Sequence, residues 1–106
     1  MADADYAADI KKYAADVNTK AVEGIVKFCG IALRSRDASH VSCSSKSELE
    51  TVRESFLKRK LKLTEDDAAL DKHIAAVCDK MKGVNQKHRV TFYYLLAEKI
   101  GKLDAF

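Results

Sequence analysis

The side chains with the most chemistry in short reach of one another lie in the run Arg34-Ser-Arg-Asp-Ala-Ser-His-Val-Ser-Cys-Ser-Ser-Lys-Ser, residues 34 to 47. Arg34 and Arg36 carry fixed charge on planar guanidinium groups that match phosphate or carboxylate with paired donors. Ser42, Ser44 and Ser45 add hydroxyls, and Lys46 an ammonium, just ahead of a predicted helix. Free NH groups and the dipole at a helix start favour anions. Arg34, Arg36, Ser42, Ser44, Ser45 and Lys46 therefore form a candidate anion or nucleotide-phosphate corner. The plainer reading is that Asp37 pairs with an arginine, the serines only cap, and the segment is a solvated connection. Cys43 is the candidate reactive thiol, because the helix start and Lys46 favour a thiolate; its plainer reading is a linker cysteine.

Other chemistry is thinner. His40 and Cys43 form an isolated His-x-x-Cys, and His73 and Cys78 are five apart on different sides of a helix, whereas structural zinc sites use paired short spacings. No metal is expected. Cys29 and Cys78 read as small core residues, His73 as a boundary histidine and His88 as solvated in a polar turn. There is no phosphate-binding glycine loop, no Gly-x-Ser-x-Gly and no His-Glu-x-x-His. No catalytic residue and no cofactor is assigned. Asp66 and Asp67 are explained as helix-start residues. Lys58-Arg59-Lys60-Leu61-Lys62 ends a predicted helix, where cations are favoured by the dipole, with Glu65, Asp66 and Asp67 close behind. That reading outweighs nucleic-acid contact. Arg89, Tyr93 and Tyr94 are types that stack on bases, but the tyrosine pair sits inside the most apolar helix, so core packing with hydroxyls reaching the surface is expected.

These residues must be positioned by helices. The chain has 106 residues, no proline, and 47% hydrophobic against 33% charged side chains. That fits one soluble domain and excludes a disordered chain. The longest apolar run, Phe92 to Ala97, is far short of the roughly 20 residues that span a bilayer. The start, Met-Ala-Asp-Ala-Asp, lacks signal-peptide features. Three widely spaced cysteines read as free thiols of a reducing compartment, hence a cytoplasmic location. Net charge is +3, and the excess sits in residues 46 to 62, with six basic and three acidic side chains. This balance argues against a nucleic-acid partner.

Helical periodicity marks a first helix over about 4 to 16, with the stripe Tyr6, Ile10, Tyr13, Ala14 and Val17. Asn18 caps a second, Thr19 to Leu33, apolar around most of its circumference; Gly30 either ends it or admits a close neighbour. A single helical turn is weighed for 37 to 41. Ser45 and Glu48 have the spacing of a capping box, opening a third helix to about Lys60 with the stripe Leu49, Val52, Phe56, Leu57 and Leu61. Thr64 with Asp67 repeats that logic for a fourth, with Leu70, Ile74, Val77, Cys78 and Met81 inward and Gly83 as its stop. Val90 to Ile100 forms a last helix, ended by Gly101, with Leu103 and Phe106 free to dock back. Strand structure over 90 to 96 is favoured by propensity alone and set aside for want of a partner. The expectation is an all-α, compact single-domain bundle of about five helices over residues 1 to 106, the second and last being its buried pair.

Three stretches, Gly24 to Cys43, Val52 to Leu61 and Arg89 to Lys99, resemble nearly end to end a family of short all-α bacterial proteins classed as domain-of-unknown-function family 2853. The resemblance implies an all-α fold and a bacterial source, with no assigned activity, cofactor or site residue. The functional expectation is a helical protein acting through contacts with a protein partner or with itself as a homodimer, without catalysis. Anion binding at 34 to 47 and thiol chemistry at Cys43 are the alternatives.

Overall fold

Where the apolar stripe and the caps agree, the elements fall as the periodicity places them. The computed structural model describes residues 6–14, 17–30, 40–82 and 87–103. In chain order these hold α1 (Tyr6–Ile10), α2 (Thr19–Cys29), β1 (His40–Val41), α3 (Lys46–Thr51), a π-helical continuation Val52–Lys60, α4 (Asp67–Lys80), β2 (Lys87–His88) and α5 (Arg89–Ile100). One apolar core joins them, as expected for a single all-α domain. No helix among the described residues is long and apolar enough to cross a membrane.

The core is organised around α5. Every residue from Arg89 to Ala97 is buried, as its all-round apolar sequence predicts. Gly101 ends it in the left-handed conformation that glycine adopts without steric cost. Against it pack α1, α2 and α4. Two polar contacts fix the first two: Asn18 N donates to Tyr94 Oη at 2.8 Å, and Thr91 Oγ1 donates to Asp9 Oδ2 at 2.5 Å. The tyrosine hydroxyls thus turn inward to protein partners rather than reaching the surface.

Several boundaries differ from expectation. α1 stops at Ile10 and continues only as turns. α2 is capped by Asn18, whose side chain accepts from Ala21 N, but ends at Cys29; Gly30, with φ +44°, terminates it. No described residue lies within 4 Å of where a Gly30 Cβ would stand, and its positive φ is what the turn requires. α2 also buries one face, Ala21, Val22, Ile25 and Cys29, and leaves Phe28 and Lys27 outside. It is half of the expected buried pair only along that face.

The third helix changes pitch. Leu61 N bonds to Phe56 O, five residues back, at 2.9 Å, the pattern of a π-helix. At about 100° per residue Val52 and Leu61 would face opposite sides of an α-helix, yet both are buried, with Phe56 and Leu57 between them. The wider turn is what brings all four onto one face. Lys62, with φ +56°, then turns the chain toward α4. α4 is capped by Asp66, whose carboxylate accepts from Ala69 N at 2.9 Å, in place of the expected Thr64. The β1–β2 bridge, which pairs His40 with His88 and Val41 with Lys87 antiparallel, was not foreseen, and it replaces a helical turn at 40 and 41. Gly83, the expected stop of α4, lies outside the described residues, as does Phe106; Leu103 is half-buried against the core.

Candidate functional site

α3 with its π-helical continuation and α4 run antiparallel, so Arg53 lies against Asp71 and, at the other end, Cys43 against Cys78. Between these two ties the helices leave a groove of about 310 Å³. Leu49 and Ile74 form its apolar floor, and Lys46, Glu50, Arg53 and Asp71 its rim. Arg53 is committed: its guanidinium donates to both Asp71 carboxylate oxygens, at 3.1 and 3.2 Å, and to Glu54 at 2.8 Å. Lys58 bridges Glu54 at 3.0 Å and Asp67 at 2.6 Å. Hydrogen bonds from Arg53 and Lys58 hold the Glu54 carboxyl below the usual range, and Lys58 does the same for Asp67. Lys46 and Glu50, one turn apart and both exposed, have no ion-pair partner among the described residues.

The groove's far end corrects the reading of the cysteines. Cys43 and Cys78, 35 residues apart, are joined by a disulfide with their Cα atoms 5.9 Å apart. Sequence spacing says nothing of this pairing, because it depends on how α3 and α4 align. The expectation of three free thiols therefore fails, and with it the argument for a reducing compartment. Cys43 is not a lone thiol, and Cys78 is a bonded residue at the core's edge. Cys29 is a buried free thiol as expected, and burial pushes its ionisation up to about 12.

A buried polar cluster stands behind α3. Arg89 donates to Tyr93 Oη at 2.9 Å, to the His40 carbonyl at 3.5 Å, and to the Glu48 carboxylate. Burial opposes the Arg89 charge, but Tyr93 and Glu48 outweigh it and hold the guanidinium above its ordinary range. The Tyr93 ring stacks on Phe56 with centroids 4.1 Å apart, and burial raises its hydroxyl despite Arg89. A cation in the first turn of a helix opposes the dipole. That misplacement was the sequence signal that Arg89 has an acidic partner, although nothing local named Glu48.

Glu48 also shows how the capping box is used. Ser45 Oγ accepts from Glu48 N at 3.3 Å, the expected half. Ser45 N instead donates to the Ser42 carbonyl at 3.2 Å, which frees the Glu48 carboxylate for Arg89. Of the candidate anion corner, Ser42 and Ser44 meet each other, Ser45 caps α3, and Lys46 lines the groove between α3 and α4. The Ser42 and Ser44 hydroxyls are 3.1 Å apart, and those of Ser45 and Ser47 3.3 Å apart. Arg34 and Arg36 lie outside the described residues.

Of the other singled-out residues, the histidines, Lys58 and Lys60 find protein partners. His73 Nε2 is 3.1 Å from Glu65 Oε1. His88 is half-buried, not solvated, and its ring lies 5.0 Å from that of His40. The basic run is divided: Lys58 joins the ion network, Lys60 Nζ stands 6.0 Å over the Phe28 ring, and Arg59 is exposed. No group of three His, Cys, Asp or Glu residues among the described residues is placed to hold a metal.

Comparison with curated proteins finds no match. The model of the family described as "protein of unknown function (DUF2853)" matches residues 5–104, nearly the whole chain, and the protein belongs to that family.

Proposed function

We propose that the protein works by self-association, with the groove between α3 and α4 as its contact face. The observation that carries this reading is the pairing of an apolar floor with two uncommitted opposite charges one turn apart on α3, Lys46 and Glu50. In a two-fold dimer the same patch meets itself. If two copies of α3 cross antiparallel over their grooves, Lys46 of each copy meets Glu50 of the other, and the half-buried Leu49 side chains close the seam. Arg53 and Asp71 stay occupied with each other, so the charges that select the partner are reduced to this pair. No turnover is assigned to the site; its work is recognition.

The test is charge reversal read by sedimentation equilibrium at low salt. Lys46→Glu and Glu50→Lys should each weaken the dimer, because each sets like charges opposite one another. The double variant should restore it, and mixing the two single variants should give a heterodimer. A wild-type chain that sediments as a monomer at its highest soluble concentration, or reversals that leave association unchanged, would refute the reading.

A further inference from the structure

The three cysteines are held in two chemically different ways. Cys29 lies in the core, and as a thiol of raised pKa it carries almost no thiolate at neutral pH. Cys43 and Cys78 are both half-buried at the edge of the fold and joined to each other. An incoming thiolate can reach an exposed sulfur edge but not a sulfur enclosed by the core.

The segment carrying Cys43 is also anchored without the bond. Val41 is 4% exposed in the core, and the β1–β2 bridge ties His40 and Val41 to His88 and Lys87. The Ser42 carbonyl accepts from Ser45 N. The Ser45 cap and the Glu48 to Arg89 pair hold the start of α3. Cys78 stands on α4, whose inward residues Leu70, Ile74 and Val77 are buried. Breaking the bond leaves both sulfurs on anchored elements, near enough to pair again, while the third thiol is out of reach as a wrong partner.

From this arrangement we infer that Cys43 and Cys78 form a reversible thiol–disulfide exchange site that reacts with low-molecular-weight thiols of the glutathione class. In the reductive direction a thiolate attacks one Sγ. A mixed disulfide forms, the bond between Cys43 and Cys78 breaks, and its electron pair leaves on the other Sγ, which takes a proton from water. A second thiolate attacks the outer sulfur of the mixed disulfide. It departs as part of the small-molecule disulfide, and the remaining cysteine leaves as thiolate and is protonated. Two small thiols are oxidised to one disulfide as the protein's disulfide is reduced to two thiols, and the reverse sequence closes the bond. The site is independent of the self-association reading, since it requires only one chain.

The experiment equilibrates the folded protein at neutral pH in a series of reduced and oxidised glutathione mixtures. The samples are quenched in acid, alkylated with N-ethylmaleimide and mapped by peptide mass, with circular dichroism recorded across the series. Cys43 and Cys78 should pass together from paired to alkylated within the series while helicity stays constant. Without denaturant before the quench, Cys29 in the native protein should label with maleimide on the order of tenfold more slowly or less. Cys43→Ser and Cys78→Ser variants should each leave one thiol that accepts a single glutathione. The inference is overturned if the pair stays joined at every ratio, if it stays open at every ratio, or if it opens only as helicity is lost. It is equally overturned if neither single variant takes up glutathione while folded.

Discussion

Glu48 on α3 and Arg89 at the start of α5 meet 41 residues apart in the chain, with side chains only 25% and 9% exposed. The pair locks the helix that follows the 40–45 segment to the most buried helix of the fold. Removing one member of a buried pair is costly because the other charge is left without its partner; the loss is about 3–5 kcal/mol. Glu48→Ala should cost about 3 kcal/mol in urea unfolding, the low end of that range, since the enclosed Arg89 keeps its hydrogen bonds to Tyr93 and the His40 carbonyl. Glu48→Leu combined with Arg89→Met, which removes both charges and keeps apolar volume, should recover much of the loss. A double variant as damaged as the single would show that the pair matters for more than charge balance.

Alkaline pH should destabilise the fold. Burial raises the Cys29 thiol from 9.0 to about 12, and it raises the Tyr93 and Tyr13 hydroxyls above their ordinary value of 10.0. Above pH 9 the unfolded chain loses the Cys29 proton while the folded chain keeps it. The unfolded state then binds fewer protons, and stability falls as pH rises. For Cys29 alone the slope approaches about 1.4 kcal/mol per pH unit between those two values. Cys29→Ala should flatten this part of the pH–stability curve while costing about 1 kcal/mol at neutral pH for the lost side-chain volume. A slope unchanged by the substitution would assign the alkaline loss to the tyrosines.

The helices were legible because each buries a stripe that repeats at helical spacing. Leu70, Ile74, Val77 and Met81 of the predicted fourth stripe are all buried, and so is the whole apolar run of α5. Caps were legible in kind and less so in position, since Asp66 rather than Thr64 opens α4. The pitch of Val52–Lys60 was latent in the spacing of Val52 and Leu61, which an α-helix packed along one face cannot bury together. The groove was not legible. It exists because Arg53 and Asp71, and Cys43 and Cys78, fix the alignment of two helices whose separate stripes say nothing of register.

Lys62 holds a left-handed conformation, φ +56°, at the turn from the π-helical segment toward α4, and its side chain is exposed. A residue with a Cβ pays about 1–2 kcal/mol for that conformation. Glycine avoids the clash but gives back roughly 0.5–1 kcal/mol through the freedom it gains when unfolded. Lys62→Gly should therefore stabilise the protein by about 0.5–1 kcal/mol, seen as a higher urea midpoint with unchanged slope. A lower midpoint would mean that the Lys62 stem contributes packing that outweighs the backbone strain.

Reduction of Cys43–Cys78 should weaken the fold without abolishing it. The bond closes a 35-residue separation, and by the loop-entropy argument such a crosslink stabilises by about 3–4 kcal/mol, mostly by restricting the unfolded chain. Domains of this size commonly have about 5–15 kcal/mol in all, and the anchors around Val41, Ser45 and Glu48 remain when the bond opens. Dithiothreitol should lower the urea midpoint of the wild type and steepen its transition, because a chain freed of its crosslink exposes more surface on unfolding. The Cys43→Ser, Cys78→Ser double variant should match the reduced wild type and be indifferent to dithiothreitol. A double variant as stable as the oxidised wild type would place the crosslink's effect in the native state, where strain in the bonded form cancels the restriction of the unfolded chain.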